Sequence, residues 1–192
     1  MDEDYLLSRK RIFNATFLVV LAILLSKISG LVRDQIMAGY FGVTYDTDAF
    51  TWAYFIPNLF RVLFAESLIT AAFIPIYSAY LKRNQKDDLR VFANSVANIM
   101  VVVFLVISAV IFILSPKIGA ILSKIANNQL DICKFMVMNR IMIFSLVLMS
   151  LSGLVTGILN SHNIFTIPSL APFVLNVITV IFVIMLFPSL GI

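Results

Sequence analysis

The chain has 192 residues, 61% of them hydrophobic and only 12% charged, with a mean hydropathy of +1.02. Soluble globular domains run nearer a quarter charged, so the composition excludes a single water-soluble domain and points to an all-α, polytopic transmembrane helical bundle. The net charge of +4 sits mostly at helix ends, where cations orient spans, and argues for membrane lipids rather than nucleic acid as the surroundings.

The first apolar stretch predicts a span over about 12–41. It exceeds the roughly 20 residues a bilayer needs, so it tilts, bends or protrudes, with Gly30 beside Ser29 as its weak point. A polar turn from Gly42 to Asp48 leads into a second span, about 48–80, interrupted by Pro57. Residues 81–90, LKRNQKDDLR, form a charged loop. A third span, about 91–114, is expected to stop at Ser115-Pro116, with 116–131 as a short interfacial helix. The fourth covers about 132–159 and Asn160–Ile167 is a turn. Pro168 opens the fifth, about 168–187, where its missing N–H sacrifices no helix bond.

Orientation follows from the basic residues between spans. Arg9, Lys10, Arg11, Lys82, Arg83, Lys86 and Arg90 lie on one side, against Lys117, Lys124 and Lys134 on the other. Seven against three favours a cytoplasmic N-terminus, and five spans then put the end of the chain outside. Ending on an odd span, the chain reads as part of a larger bundle.

Several charges stand where lipid would favour leucine. A charge at mid-membrane costs about 2.5–3.5 kcal/mol on insertion scales. The first span nevertheless carries Lys27, Arg33 and Asp34, and the second carries Arg61 and Glu66. Ser26, Gly30 and Arg33 share one helical stripe, with Lys27 and Asp34 on the next; Asn58 and Arg61 lie three apart on another. At about 1.5 Å of rise per residue, the cations form a ladder through the membrane. Two such stripes make a wet, cationic cavity, and arginine suits a phosphate because its planar fork presents paired donors. The competing reading is structural: Arg33 paired with Asp34 or Asp48, and Arg61 with Glu66, as helix-holding ion pairs. Asp48 reads as an N-cap compatible with a gating contact, and Asp46 as a solvated turn residue.

Other features are plainer. Cys133, the single cysteine, is expected to pack, and it excludes an internal disulfide. His162, the single histidine, reads as a loop or cap residue. Gly153 and Gly157 form a GxxxG pattern for close helix packing, and Arg140 is a weak cavity candidate. No nucleophile–base pair, phosphate loop or metal spacing stands out, so neither an enzyme nor a cofactor is expected.

Long strings then become recognisable. SKISGLVRDQIMAGYFG, TDAFTWAYFIPNLFRVLFAES and AAFIPIYSAY, followed by NRIMIFSLVLMSLSGLVTGILNSHNIFTIPSLAPFVLN, closely resemble the start of the MurJ (MviN) family, the lipid II flippases of bacterial peptidoglycan synthesis. The resemblance covers most of residues 20–180. It implies a two-lobed bundle of fourteen helices whose central cationic cavity alternates between the two sides of the cytoplasmic membrane. It also implies a lipid II-type substrate, an undecaprenyl-diphosphate-linked saccharide-peptide, with Lys27, Arg33 and Arg61 as diphosphate contacts. Ser26, Gly30, Asp34, Asp48, Asn58 and Glu66 would then line the cavity or gate, with Asp48 near the periplasmic side. Two positions depart from the pattern: Lys27 stands where arginine is common, and Ser145 where a proline often follows Phe. About five spans fall well short of two lobes, so further C-terminal spans or a complementary chain are expected as partners. A related exporter of another polyprenyl-linked glycan, or a non-transport membrane assembly subunit, are the alternatives.

Overall fold

The computed structural model describes residues 2–42, 44–83, 85–125 and 130–190, and their side chains from Thr16 to Leu186 except at 45 and 64–66. No strand occurs among the described residues. The order is α1 (Asp2–Phe41), α2 (Tyr45–Phe60), a π-helical segment π1 (Arg61–Glu66), a second, π2 (Ile69–Phe73), α3 (Ile74–Lys82), α4 (Lys86–Ile125), α5 (Ile132–Met142), α6 (Ser145–Ser161) and α7 (Thr166–Leu190). Among the described residues, four stretches are long and apolar enough to cross a membrane: Thr16–Phe41, Lys86–Ile125, Ile132–Ser161 and Thr166–Leu186. The expected second span is helical too, but it is cut by the π segments into pieces of which the longest has 16 residues. The result is a helical membrane bundle. It splits into two compact units, Met1–Gly42 with Asn163–Ile192, and Val43–His162.

In the first unit α1 runs alongside α7. Ser26 Oγ donates to the Ser169 carbonyl at 2.9 Å and Arg33 Nη1 to Asn176 Oδ1 at 3.0 Å. Both bonds join residues 143 apart in sequence, so the two helices are parallel and in constant register. Gly30 does not weaken α1, which continues unbroken to Phe41. Its missing side chain instead makes room: a methyl there would stand 3.4 Å from Asn176 Nδ2.

The second unit is built on three apolar clusters. Ala49, Ala53, Leu130 and Phe135 form one, Phe104, Ile111, Ile143 and Leu146 another, and Ile69, Phe73, Tyr77 and Leu154 the third. Their small partners allow close approach. A methyl on Gly119 would meet Phe135 Cδ1 at 3.0 Å and Ile132 Cγ2 at 3.1 Å, and one on Gly157 would meet Ile69 Cγ2 at 2.5 Å. Ser108 Oγ, farther back on α4, donates to the Ile143 carbonyl at 3.2 Å, so α4 and the α5–α6 pair are antiparallel.

Four local expectations are corrected here. The third helix does not stop at Ser115-Pro116, and 116–131 is not a separate helix: α4 continues through the exposed Pro116 to Ile125. Proline forfeits one hydrogen bond, but buried Ser115, Gly119 and Ser123 keep the packed face continuous on both sides of it. Asp48 is not the N-cap of α2. Thr44 is, in extended backbone, its Oγ1 accepting from the Thr47 N–H at 3.3 Å, and Asp48 lies exposed in the first helical turn. Asp46, in the same turn, forms an ion pair with Lys134 of α5 rather than standing solvated alone. Cys133 is exposed instead of packed, because it sits in the first turn of α5, where the Asp131 carboxylate accepts from the Cys133 and Lys134 N–H groups.

Two breaks have clear causes. Between α5 and α6, Ile143 and Phe144 form a turn and Ser145 Oγ donates to the Met142 carbonyl at 2.6 Å. The helix thus breaks where the related pattern places a proline, without one being present. Pro57 inside α2 cannot donate to the Ala53 carbonyl four residues back, and buried Asn139 of α5 directs Nδ2 at that carbonyl from 3.5 Å. His162 is the C-cap of α6, with Nε2 3.4 Å from Tyr77 Oη.

A Cβ on Gly157 would stand 2.5 Å from Ile69 Cγ2 and 3.3 Å from Phe73 Cδ1, so a bulky side chain there must displace Ile69 and Phe73 from α6. Gly157→Leu is expected to cost about 1–3 kcal/mol and to lower the thermal midpoint by about 5 °C, followed by Trp52 fluorescence in detergent. Val155→Leu, on an exposed position of the same helix, serves as the control. An unchanged midpoint for Gly157→Leu would contradict the close packing.

Candidate functional site

The candidate residues fall in both units, and each group is described in its own. In the first unit the polar residues of α1 do not all face one way. Ser26, Ser29, Gly30 and Arg33, at spacings of three and four, lie along α7. Lys27 and Asp34 are exposed on the flank. Lys27 makes no hydrogen bond or ion pair among the described residues.

Arg33 is the most fully defined of the cations. Its Nε and Nη2 donate to Asp34 Oδ1 at 3.0 and 2.7 Å, and its Nη1 donates to Asn176 Oδ1 at 3.0 Å. The first pairing is the one the sequence raised as an alternative. It is not dry, since the Asp34 side chain keeps 64% of its exposure and that of Arg33 keeps 32%. A guanidinium has five N–H donors; three are used in these bonds, leaving one on each terminal nitrogen.

Asn176 is a residue the sequence reading missed. Its Nδ2 donates to the Ser26 carbonyl at 3.2 Å and to Ser29 Oγ at 3.1 Å, while its Oδ1 accepts from Arg33. Ser29 Oγ in turn donates to the Ser26 carbonyl at 3.0 Å. The signal that marks it is chemical: a lone carboxamide in the apolar run PFVLNVITVIF, seven residues from Ser169 and so on the same helical face.

In the second unit Arg61, the first residue of π1, donates from Nε and Nη2 to Asn58 Oδ1 at 3.1 and 2.9 Å. This is the expected i, i+3 pair, with both side chains half-buried. The Glu66 side chain lies outside the described residues. Asp48 is exposed near the start of α2, beside the Asp46–Lys134 ion pair. Arg140 is set apart from these groups: its guanidinium stands 4.8 Å from the centre of the Phe112 ring, a cation–π contact within the apolar packing.

Chemically, these arrangements can hold anionic oxygen. Arg33 is tethered at two points yet retains donors, Lys27 is exposed on the same helix, and Arg61 donates to the Asn58 amide oxygen.

Comparison with known proteins supplies the relationship. The family model described as "Lipid II flippase MurJ" matches residues 37–192. A protein of Buchnera aphidicola subsp. Schizaphis graminum named "Probable lipid II flippase MurJ" is 36% identical over 169 residues, covering 83% of this chain and 31% of its own length. The "Lipid II flippase MurJ" of Burkholderia cenocepacia is 33% identical over 167 residues, 86% of this chain and 32% of that protein. A relative from Aquifex aeolicus is 30% identical over 185 residues, 94% and 36% of the two chains. The chain therefore spans about a third of the length of the curated relatives it matches, and over that length it belongs to the MurJ family.

Proposed function

We propose that this chain is the N-terminal portion of a flippase for lipid II-type precursors, moving an undecaprenyl-diphosphate-linked saccharide-peptide across the bacterial cytoplasmic membrane. The observation that carries the reading is the family match over residues 37–192; the geometry of Arg33 gives it a chemical basis. Lys27, Arg33 and Arg61 are the proposed diphosphate contacts. Asn58 and Asp34 hold two of them in place. Ser26 and Gly30 serve the same stripe by seating α7 against α1. The polyprenyl tail stays in lipid while the head group passes through a cationic cavity by alternating access, and Asp48 and Glu66 belong to its gates. The relatives are about three times longer than the matched region, so the transport pathway is completed by further polypeptide.

A five-span arrangement belongs to the same proposal, and helix direction supports it. α1 and α7 are parallel, so a chain that crosses with both must return between them by an odd number of crossings. α4 and the α5–α6 pair supply two. The helical stretch from Tyr45 to Lys82 supplies the third, at about 1.5 Å per residue long enough for the roughly 30 Å of hydrocarbon. With the N-terminus cytoplasmic, Gln85 is then cytoplasmic and Cys133 periplasmic.

Two experiments test these points. In cells depleted of their own lipid II flippase, Arg33→Ala and Arg61→Ala in the protein carrying this chain are each expected to reduce lipid II flipping at least tenfold at unchanged abundance, the scale of a lost charge-assisted bond. Flipping at the parental rate in both would sink the diphosphate assignment. For topology, a membrane-impermeant maleimide applied to intact spheroplasts is expected to label native Cys133. Gln85→Cys in a Cys133→Ser background should react only after permeabilisation. Equal labelling of Gln85→Cys before and after permeabilisation would leave the Tyr45–Lys82 stretch on one side of the membrane and overturn the five-span reading.

A further inference from the structure

Arg33 is usefully placed for an anion only if its guanidinium is not oriented by its neighbour in sequence alone. Asp34 alone would draw it along the outside of α1, since that carboxylate is largely exposed and takes both Nε and Nη2. Among the described residues, the hydrogen bond to Arg33 from another helix comes from Asn176, nearly fully buried at 6% exposure. Its amide is oriented by its neighbours and not by chance. The Ser26 carbonyl can only accept, so the nitrogen must face it, and Arg33 can only donate, so the oxygen must face Arg33. Turning the amide over would set oxygen against oxygen and nitrogen against a cation. Gly30 keeps the space beside it open. The Ser26 and Ser29 bonds therefore fix the amide, and the amide fixes Nη1.

We propose that Asn176 is a positioning residue for anion recognition: anchored by Ser26 and Ser29, it holds the Arg33 guanidinium so that its remaining donors meet a diphosphate. It touches Arg33 and no substrate atom is assigned to it. The inference rests on the reading of Arg33 as a diphosphate contact and goes beyond it by naming what sets the geometry of that contact. An amide suits the task because it accepts from arginine without adding negative charge. Aspartate, of nearly equal size, would grip Arg33 harder and cancel its charge while losing both donors to α1.

The test is a double-mutant cycle read by binding. The protein carrying this chain is placed in nanodiscs, and its affinity for undecaprenyl diphosphate is measured for the parent, Asn176→Ala, Arg33→Ala and the double variant, with thermal midpoints in parallel. Asn176→Ala is expected to weaken binding roughly tenfold in the parent, the scale of a lost hydrogen bond to a charged group, and less than twofold once Arg33 is alanine. An equal loss in both backgrounds means that Asn176 only holds α7 to α1, and overturns the proposal; so does no loss in either. Should Asn176→Ala not accumulate, Asn176→Asp, nearly isosteric, takes its place. It is expected to weaken binding through charge cancellation, and parental affinity in that variant is equally fatal. Arg33→Ala alone separates the two levels. If it leaves binding unchanged, the diphosphate assignment fails; if it weakens binding while the Asn176 variants do not, only the role of Asn176 fails.

Discussion

Hydrocarbon offers no hydrogen-bond partner, so every polar group carried into it must be answered by protein. Apart from Ser115 Oγ, Asn139 Oδ1 and Arg140 Nε, which are buried without a hydrogen-bond partner among the described residues, this molecule answers in two ways. Ser150, Ser161 and Thr179 turn their hydroxyls back onto carbonyls of their own helices, three or four residues earlier. A serine satisfied in this way behaves toward a neighbouring helix as a small side chain and lets it come close. Ser26 and Asn176 do the opposite and bond across to the partner helix. The Val43–His162 unit is accordingly held mainly by shape, through its apolar clusters and glycine contacts, whereas the α1–α7 pair is held by direction-specific bonds. Directional bonds fix rotation about the helix axis as well as distance. Through Asn176 they also fix one donor of Arg33 on α1.

The backbone between Tyr45 and Lys82 obeys the same constraint at a different scale. Pro57 removes one donor, leaving the Ala53 carbonyl to Asn139. One turn later the helix widens into π1 and then π2, and Ser67 Oγ donates to the Val62 carbonyl five residues back at 2.9 Å. Ile69, Phe73 and Tyr77, spaced four apart along this stretch, gather in one cluster with Leu154. Short π segments are common at functional sites, and here the first begins at Arg61. The irregular backbone and the cation it carries occupy the same turn of the chain.

Much of this was legible in the sequence where the governing interaction is local. Long apolar runs mark where the helices form, because bilayer thickness and residue rise leave little choice. The Asn58–Arg61 pair follows from a separation of three residues on a helix, whereas Arg33–Asp34, adjacent in sequence, was legible only as one of two alternative pairings. Legibility ended where tertiary packing outweighs a local signal. Pro116 looked like a stop and lies within α4. Thr44, Asp46, Thr47 and Asp48 all resemble caps, and nothing in the sequence ranks Thr44 first. Asn176 was hidden for a different reason: its partners are 143 to 150 residues away. Only its chemistry, an amide alone in an apolar helix, marked it, since intramembrane polar groups are seldom without a purpose.

The cations themselves show why ion pairing does not account for the charges on α1. Placing an arginine or lysine in an apolar span costs about 2.5–3.5 kcal/mol on insertion scales. An exposed ion pair returns only about 0–1 kcal/mol, and Asp34, at 64% exposure, is such a partner. A buried pair could stabilise more, but the carboxylate would need to be enclosed with Arg33, and it is not. Lys27 has no pairing at all among the described residues. Helix association does not require these charges either, because the Ser26–Ser169 and Asn176–Ser29 bonds connect α1 to α7 without them. Lys27 and Arg33 therefore stand in an apolar span without an enclosed carboxylate among the described residues, and under the proposed function the diphosphate is the group whose binding offsets that cost.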